Sequence, residues 1–342
     1  MANKHRIAVV GCGGMANTWM EYALGREDCE IVALVDIRPE SAQAMAEKYG
    51  LSCGVYTDPA EAIEASGATL VFDVTVPAGH FEVGTTAMRL GCDVFAEKPL
   101  AETLEQCREM VRMSETTGRM HAVMQNRRYN PQIIALREMI ESGVIGRPGF
   151  AGVDFYIGAH FGGFRDAMDN PLLLDMAIHT FDQARKILGA DPVSVYCHEY
   201  NPPGSWYAGC SSAVCIFEMS DGSVFNYRGS WSAEGAQTSW EGEWRVTGER
   251  GTIIWDGSHA PYAETVAAGN QEGKFIRDFV RLEAEVPSLK NVGHHGCLDD
   301  MFDALAHGRR AATDCRDNIL SMAMVFGAIE SARTGGKVSI VS

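Results

Sequence analysis

The sequence predicts an α/β fold with two parts, a doubly wound parallel sheet followed by a second α/β domain with an antiparallel sheet. Three observations predict this fold class. Short apolar runs alternate with helical segments from the N-terminus to about residue 124. A glycine-rich loop directly follows the first apolar run. Between Pro192 and Trp255 the pattern changes to short strands separated by turn signals such as Asp221-Gly222, which are typical of antiparallel sheets.

The first strand and the loop after it carry the pattern of a dinucleotide site. Residues 7–10 form a continuous apolar run, as expected of a strand buried on both faces of a sheet. The run leads into Gly11-Cys12-Gly13-Gly14-Met15-Ala16, which fits G-x-G-x-x-[G/A]. Gly11 permits a tight turn, Gly13 lets a pyrophosphate approach the backbone, and Ala16 keeps the helix near the strand. The N-terminus of that helix then offers N–H groups to the phosphates.

An acidic residue closes the second strand at the spacing that this site requires. The apolar run 31–35 ends at Asp36, about 20 residues beyond the loop, where a carboxylate accepts hydrogen bonds from the adenosine ribose. A glycine turn that only permits close packing is the alternative, but it leaves Asp36 unexplained. Ile37 and Arg38 follow at the same strand end. Asp36 favours NAD, while the charge of Arg38 leaves NADP as an alternative.

Length, charge and cysteine content exclude several classes of protein. The chain has 342 residues, enough for two domains, and 46% of them are hydrophobic. A formal net charge of −16 disfavours nucleic acids and anionic membranes as partners, because both attract basic surfaces. The sequence has no signal-peptide core and no segment of membrane-spanning length. The ten cysteines form no C-x-x-C pair, so we expect reduced thiols, no metal site and a cytoplasmic location.

The alternation of strands and helices ends near Gln125, which predicts a domain boundary there. We therefore expect a dinucleotide-binding domain over 1–124 and a second domain over 125–342 that includes the C-terminal helices. Further strands of the first domain are predicted at 51–56, 70–76, 93–96 and 121–124. The elements predicted for the second domain are helix 131–142, strand 149–157, helix 172–188, antiparallel strands within 192–255, helices 301–307 and 318–333, and strand 338–341.

Polar residues follow the buried strands at the edge where open α/β sheets bind ligands. The turn Thr75-Val76-Pro77 with His80 follows one strand, Glu97-Lys98-Pro99 follows the next, and Asn126 follows the last. Lys98 is the most informative, because a buried strand and a proline hold it in place. The alternative is an ordinary surface lysine at a strand exit. These residues complete the predicted cofactor site.

A second group of polar residues lies in the predicted helix 172–188. Asp175, His179 and Asp182 are spaced i, i+4, i+7, so we expect all three on one face of that helix. A carboxylate one turn away can orient the imidazole and stabilise its charged form. Taken alone, such a histidine is more often structural than catalytic. A chain that also binds a dinucleotide needs a proton acceptor, which favours the catalytic interpretation.

Together these motifs resemble the glucose–fructose oxidoreductase / inositol dehydrogenase (Gfo/Idh/MocA) family over essentially the whole chain. Glu97-Lys98-Pro99 is the family's most telling tripeptide. The other matching segments are the glycine loop, Asn126-Arg127-Arg128-Tyr129-Asn130-Pro131, Gly143-Val144-Ile145-Gly146, Asp175-x-x-x-His179-x-x-Asp182 and Ser331-Ala332-Arg333-Thr334-Gly335. The combination is specific to the family and not to one substrate.

The resemblance implies a Rossmann domain followed by an α/β domain whose large, mostly antiparallel sheet mediates assembly into a homodimer or homotetramer. It also implies NAD(P)-dependent oxidation or reduction of a sugar, an inositol or a related polyol. Lys98 matches the family's active-site lysine, and Asp175 and His179 match its acid–histidine pair. The resemblance leaves open which carbohydrate is used and in which direction.

The chemistry of alcohol oxidation suggests roles for these residues. The hydroxyl proton must leave as hydride moves to the nicotinamide, and His179 suits the role of base. A charged Lys98 would stabilise the developing alkoxide. The opposite arrangement, with Lys98 as the base, stays open. The residues that we expect to contact the substrate are Arg128, Tyr156, His160, Arg165 and Trp231, although packing in the core or at a subunit interface is the alternative for each aromatic.

Two other functions compete with a dehydrogenase. The same scaffold can retain its cofactor and use transient oxidation for redox-neutral glycoside cleavage or epimerisation. A non-catalytic sensor of nucleotide and sugar is the third candidate. The presence of Lys98, Asp175 and His179 argues against a sensor, because a sensor needs no base.

Overall fold

The computed structural model describes residues 4–341, which form two compact units. The first unit comprises the residues up to 126 together with 294–322, and the second comprises 127–293 together with 323–341. The division thus differs from the predicted domains, which assign every residue after 124 to the second domain. Residues 294–322, which follow the second sheet in the sequence, instead belong to the first unit.

The described residues form the following elements. The helices are α1 (Ala16–Leu24), α2 (Pro39–Tyr49), α3 (Pro59–Ser66), α4 (Pro77–Arg89), α5 (Leu104–Thr117), α6 (Pro131–Glu141), α7 (Ile178–Leu188), α8 (Gly293–His307) and α9 (Cys315–Thr334). The strands are β1 (His5–Val10), β2 (Cys29–Val35), β3 (Gly54–Tyr56), β4 (Leu70–Asp73), β5 (Asp93–Ala96), β6 (His121–Val123), β7 (Pro148–Tyr156), β8 (Pro192–Tyr200), β9 (Ser212–Met219), β10 (Val224–Ser230), β11 (Glu243–Gly248), β12 (Gly251–Trp255), β13 (Tyr262–Val266), β14 (Phe279–Glu283) and β15 (Val338–Ser339).

The first unit is built on a six-stranded sheet in the order β3-β2-β1-β4-β5-β6, with all pairs parallel. This is the order of the doubly wound dinucleotide-binding fold, so the predicted fold class is confirmed for this unit. The central strands β1, β4 and β5 are almost wholly buried, which explains their continuous apolar sequences.

Helix α8 belongs to the first unit because its apolar side packs on the sheet. The ring of Phe302 lies 5.2 Å from the ring of Phe95 and 6.2 Å from that of Phe72. Beyond the helix, the chain passes the edge strand β6, where Val123 N–H donates to the carbonyl of Thr313 at 3.0 Å. The sequence did not reveal this assignment, because α8 is far along the chain from the strands that it covers.

The second unit contains a nine-stranded sheet in the order β14-β13-β12-β11-β7-β10-β9-β8-β15. All neighbours are antiparallel except β7 and β10, so the predicted mostly antiparallel sheet is confirmed. One face packs on α7, where the ring of Phe181 lies 4.9 Å from Phe217 and 5.3 Å from Tyr227. The opposite face carries exposed residues such as Tyr196 and Ile216.

The predicted helix 172–188 begins differently from the expectation. Its first six residues, Leu172–Ala177, form a π-helical turn, and the α-helix starts only at Ile178. A π-helical turn is wider than an α-helical one, so the side chains before and after it do not keep the i, i+4, i+7 alignment. Asp175 lies within this turn, whereas His179 and Asp182 lie in the α-helix that follows it.

Candidate active site

The glycine loop has the backbone shape that a pyrophosphate site requires. Gly11 has φ +91°, and a Cβ on it would lie 2.5 Å from the carbonyl oxygen of Val74, so only glycine fits. A Cβ on Gly13 or Gly14 would meet no other group within 4 Å, so the backbone of this part of the loop is open. The loop leads directly into α1, which begins at the buried Ala16, and the Ala16 N–H donates to the carbonyl of Gly13 at 3.2 Å. This loop fits the pyrophosphate of a dinucleotide.

Asp36 joins the glycine loop to the end of β2. Its Oδ2 accepts from Cys12 N–H and its Oδ1 from Arg38 N–H, both at 2.9 Å, and its side chain is only 10% exposed. A carboxylate has further lone pairs, so it can still accept from ribose hydroxyls. The Arg38 side chain is 68% exposed, with Nε 4.0 Å from Oδ1 of Asp36, and Ile37 is exposed beside it.

The turn after β4 is held by a buried acid–histidine pair. Asp73 and His80 are both fully buried, with Oδ2 of Asp73 3.0 Å from Nδ1 of His80. Oδ1 of Asp73 accepts from the N–H and the hydroxyl of Thr75 at 3.1 and 2.6 Å. The side chain of His80 is therefore buried and paired inside the unit, and its contact with the cofactor stays a prediction. Val76, at the N-cap of α4 before Pro77, is the exposed side chain of this turn.

Charge attraction outweighs burial in this pair. Burial disfavours the charged form of His80, yet the Asp73 carboxylate raises the pKa of His80 above its usual value. Burial likewise opposes the charge of Asp73, while His80 and Thr75 hold the pKa of Asp73 below its usual value. For the neighbouring His121, burial outweighs the attraction of Asp73 and lowers the pKa of His121 to about 4. We therefore describe Asp73 and His80 as an ion pair.

Lys98 follows β5 between two buried residues, Glu97 and Pro99. Oε1 of Glu97 accepts from the indole N–H of Trp19 at 2.9 Å, and Oε2 accepts from the N–H of Lys98 at 3.4 Å. The Lys98 side chain is partly exposed. The sequence correctly indicated a lysine whose backbone is fixed at the carboxyl end of a strand, although it did not reveal Trp19 as the partner of Glu97.

Asn126 lies at the end of the first unit, at the start of a 3-10 turn, Asn126–Tyr129. Its side-chain Nδ2 is 3.4 Å from Nδ1 of His294, which is in the first turn of α8. The sequence analysis did not identify His294. The adjacent pair His294-His295 at the start of a helix is the signal that could have found it.

In the second unit, the residues of the predicted acid–histidine motif separate into two groups. Asp175 in the π-helical turn and His179 in the first turn of α7 are partly exposed. Asp182 is buried and forms a bidentate ion pair with Arg128, with both N–O distances 2.6 Å. The prediction that Asp182 shares a face with the other two is therefore wrong. Arg128 is buried in this pair, and its contact with the substrate stays a prediction.

Arg165 binds Asp175 directly. The Arg165 Nε donates to Oδ2 of Asp175 at 2.5 Å. The guanidinium group also lies over two exposed rings, 5.0 Å from the centre of Phe161 and 4.7 Å from that of Phe164. The structure thus connects a predicted substrate residue to the carboxylate of the predicted catalytic pair.

His160 and Tyr156 lie at and beyond the end of β7. The His160 ring stacks on Trp206 with centroids 3.6 Å apart, and its Nε2 is 2.7 Å from Oε1 of Glu234. This histidine is exposed, and Tyr156 is partly exposed. Both are therefore accessible to a ligand of this unit.

The burial of Trp231 favours core packing, which is the alternative that the sequence left open for this residue. It is only 2% exposed and packs against Phe161 at 5.2 Å and Tyr207 at 6.1 Å. Trp240, whose ring centre is 6.2 Å from that of Phe161, is instead exposed. The accessible aromatic surface of this region therefore consists of Phe161, Phe164 and Trp240.

Residues 4–341 contain neither a cluster of metal ligands nor a membrane-spanning helix. No group of three or more His, Cys, Asp or Glu side chains among them is arranged to hold a metal ion. No helix in this range is long and apolar enough to cross a membrane.

Comparison with protein families matches both parts of the chain. Residues 5–125 match an oxidoreductase family with an NAD-binding Rossmann fold, and residues 133–254 match the GFO/IDH/MocA C-terminal domain. The first unit is thus an NAD-binding Rossmann domain.

The chain is also similar to individual oxidoreductases, at modest sequence identity. The chain is 26% identical to a 1,5-anhydro-D-fructose reductase from Ensifer adhaerens over 98% of both proteins. It is 32% identical to a D-glucoside 3-dehydrogenase from Escherichia coli, over 58% of this chain and 59% of that one. An oxidoreductase from Agrobacterium radiobacter, solved with NAD⁺, L-tartaric acid and magnesium, superposes with a TM-score of 0.85 at 23% identity and covers 99% of both chains. The last comparison shows the shared fold.

Proposed function

Because this chain belongs to the Gfo/Idh/MocA family of NAD-binding oxidoreductases, we propose that it transfers a hydride between NAD and a secondary alcohol of a sugar, inositol or related polyol. The observation that carries the proposal is the placement of Lys98. Its backbone is fixed beside the buried Glu97 at the carboxyl end of β5, in a sheet that binds NAD. The names of the glucoside dehydrogenase and anhydrofructose reductase relatives support a carbohydrate substrate.

The first unit fits NAD along one edge of its sheet. The glycine loop and the N-terminus of α1 would hold the pyrophosphate, and Asp36 would accept from the adenosine ribose. The exposed Ile37 and Arg38 would border the adenosine half. Val76, Pro77, Glu97 and Asn126 follow β4, β5 and β6, so they would border the nicotinamide half. Bound NAD⁺ supplies the hydride acceptor, and NADH supplies the donor.

Side chains of the protein would accept the proton of the substrate hydroxyl. We assign His179 as the acceptor of the hydroxyl proton, because an imidazole titrates near neutral pH. Asp175 would orient the ring, and Arg165 would hold the Asp175 carboxylate in place through their hydrogen bond. Lys98 would stabilise the alkoxide that develops as the hydride leaves. The opposite assignment, with Lys98 as base, is distinguished by the pH profiles of variants at the two positions.

Accessible side chains of the second unit suit a carbohydrate. Phe161, Phe164 and Trp240 expose apolar ring surface of the kind that packs on a sugar ring. His160 and Tyr156 add hydrogen-bonding groups that hydroxyls can use. Substrate recognition therefore needs neither the buried Arg128 nor Trp231 as a direct contact.

A panel of inositols, aldoses, ketoses and glycosides, assayed with NAD⁺ by NADH absorbance, tests the proposal. We expect net NADH formation with at least one free sugar or polyol. Tightly retained nucleotide and product without net NADH would instead indicate redox-neutral chemistry. Binding of both nucleotide and sugar without turnover would indicate a sensor and would overturn the dehydrogenase proposal.

We also propose that the chain forms a homodimer or homotetramer through the open face of the nine-stranded sheet. Eight of the large exposed apolar residues belong to strands of this sheet, namely Phe150, Val193, Tyr196, Tyr200, Ile216, Phe279, Val280 and Leu282. An apolar face of this kind is characteristic of protein–protein interfaces.

A further inference from the structure

His294 is a partly buried histidine that the reaction proposed above does not yet use. It lies in the first turn of α8, and its side chain is 28% exposed. Its Nδ1 is 3.4 Å from Nδ2 of Asn126, and its Nε2 is 3.9 Å from Oε1 of Glu97. One imidazole thus faces two residues that follow neighbouring strands of the NAD-binding sheet.

These contacts define one protonation state of the ring. The amide Nδ2 of Asn126 can only donate, so Nδ1 of His294 must accept. A neutral imidazole with an acceptor at Nδ1 carries its proton on Nε2, and this N–H faces the Glu97 carboxylate. An imidazolium would instead place an N–H against the amide N–H of Asn126. The neutral ring is therefore the form that fits both neighbours.

The surrounding charges agree with a neutral ring. Burial lowers the pKa of His294, the Glu97 carboxylate opposes this effect, and His295 and Lys98 lower the pKa further. These are the charged and titratable groups that face His294, from the segment after β5 and from its own helix. Lys98 directly follows Glu97 in the chain, and Oε1 of Glu97 lies 3.9 Å from Nε2 of His294.

Glu97 connects His294 to the lysine. The same Oε1 that faces His294 accepts from the indole N–H of Trp19, while Oε2 accepts from Lys98 N–H. Because Glu97 is buried, any change in its orientation would displace the backbone that carries Lys98. Asn126 and Glu97 also follow β6 and β5, on the side of the sheet away from Asp36.

We propose that His294 is a positioning residue of the reaction site, which holds Asn126 and Glu97 as a neutral imidazole and thereby fixes Lys98. This rests on the proposed function, because Lys98 acts in that reaction. Protonation of His294 breaks the contact with Asn126 and adds a positive charge near Lys98. NAD⁺ has a positively charged nicotinamide ring and NADH a neutral one, so the added charge weakens NAD⁺ binding more than NADH binding.

Substitutions at 294 and 295 test this role in the full-length protein. His294→Phe keeps an aromatic ring but loses both nitrogens, and we expect kcat to fall by about 10- to 100-fold with a much smaller change in KM. His294→Gln can still accept from Asn126 and should recover most of kcat. His295→Phe is the matched control, since the His295 ring packs against Tyr22 rather than Glu97, and it should keep wild-type kcat.

The pH dependence separates a positioning role from a purely structural one. In the wild type, the ratio of the NAD⁺ to the NADH dissociation constant should rise as pH falls through the pKa of His294. Fluorescence titration of both nucleotides should show this rise also in His295→Phe but not in His294→Gln. Wild-type kcat and an unchanged pH dependence of this ratio in His294→Phe would overturn the proposal.

A titration without cofactor tests the arrangement even if the proposed function fails. The NMR signal of the His294 ring is identified by its absence in His294→Gln. Lys98→Met should raise the pKa of His294, because it removes a nearby positive charge, and Glu97→Gln should lower it. A pKa that responds to neither change would overturn the proposal. Failure of wild type to bind NADH or to oxidise any carbohydrate would overturn the proposed function separately.

Discussion

At the scale of single residues, three carboxylates lie at the carboxyl ends of three strands of the parallel sheet, β2, β4 and β5, and are already bound by their own unit. Asp36 binds the backbone of the glycine loop, Asp73 binds His80, and Glu97 binds Trp19. Each hydrogen bond fixes a loop before any ligand arrives. Such preorganisation reduces the free energy that binding and catalysis must spend on ordering the site.

The first prediction concerns the choice between NAD and NADP. We expect a higher kcat/KM with NAD, because Asp36 accepts from the ribose and repels a 2′-phosphate. Asp36→Ser should lower kcat/KM for NAD by about tenfold and raise it for NADP, since the exposed Arg38 is then free of the carboxylate. Ile37→Ala, which changes no charge, should keep the preference. A wild-type preference for NADP would contradict this interpretation of Asp36.

The second prediction concerns the chemical step. Lys98→Ala and His179→Ala should each lower kcat on the order of 10²- to 10⁴-fold and leave the NADH dissociation constant nearly unchanged. Asp175→Asn should be milder if the carboxylate only orients His179. Stopped-flow measurement of NADH formation and fluorescence titration of NADH provide the two readouts.

A matched control accompanies these variants. His259→Ala changes a histidine of the second unit whose side chain is 87% exposed, and it should leave kcat unchanged. If His179→Ala kept near wild-type turnover while circular dichroism showed a folded protein, the assignment of His179 as base would be wrong.

Some site residues could be predicted from the sequence, whereas their contacts with distant residues could not. The sequence identified the glycine loop, Asp36 and Lys98 because each stands at a fixed distance from a recognisable strand. It could not show that Arg128 is bound by Asp182, 54 residues away, or that Asn126 lies beside His294, 168 residues away. A contact with a distant part of the chain can bury a polar side chain, and the residues next to it in the sequence do not reveal that contact.

At the scale of elements, the junction of β4 and α4 depends on the buried pair Asp73–His80. Removing one partner of a buried ion pair leaves an uncompensated charge, so Asp73→Asn should lower the free energy of unfolding by about 3 kcal/mol. Asp58→Asn is the control, because Asp58 is an exposed cap of α3 whose acceptor oxygen asparagine retains. Urea denaturation at pH 6 measures both variants.

The same pair predicts a pH dependence of stability. The pKa of His80 is raised in the folded state, so its contribution is complete below about 6.5 and is lost as pH rises through the folded value. The pKa of Asp73 is lowered, so its contribution is present above about 3.9 and is lost as pH falls. Above pH 6.5, wild type should therefore lose more stability with rising pH than Asp73→Asn does. Parallel curves for the two proteins would contradict an ion pair.

Element boundaries were predictable where a local signal marks them. Asn130 before Pro131 marks the start of α6, and the cap at Thr103 marks that of α5. The π-helical turn Leu172–Ala177 has no such signal, because its apolar residues would suit an α-helix equally well. Asp175 lies within this turn and binds Arg165, whereas Asp182 lies in the following α-helix and binds Arg128.

At the scale of the whole molecule, the order of strands was predictable only in the first unit. Alternating strands and helices with right-handed crossovers leave few topologies for a parallel sheet. In the second sheet, β7 lies between β10 and β11 and pairs parallel with β10. These partners are distant along the chain, and side-chain alternation indicates which face is buried but not which strand is the neighbour.

The alternation of exposed and buried side chains along β8 and β9 does show that the open face of the second sheet carries apolar residues. Tyr196 of β8 lies directly opposite Ile216 of β9, and both are exposed, whereas Val195, Cys197 and Phe217 beside them are buried. A sheet with one face in water would be expected to carry polar residues there. This exposed apolar row is the physical basis for the proposed assembly.

The last prediction is that this face holds subunits together. Wild type should behave as a dimer or tetramer in light scattering at micromolar concentration, because covering the row removes apolar surface from water. Ile216→Lys together with Tyr196→Lys should give a monomer, since two lysines per chain would meet their copies in a buried interface. Leu24→Lys, which changes an exposed leucine on α1 of the first unit, should leave the assembly intact. A monomeric wild type, or a double variant that still assembles, would show that this face is not the interface.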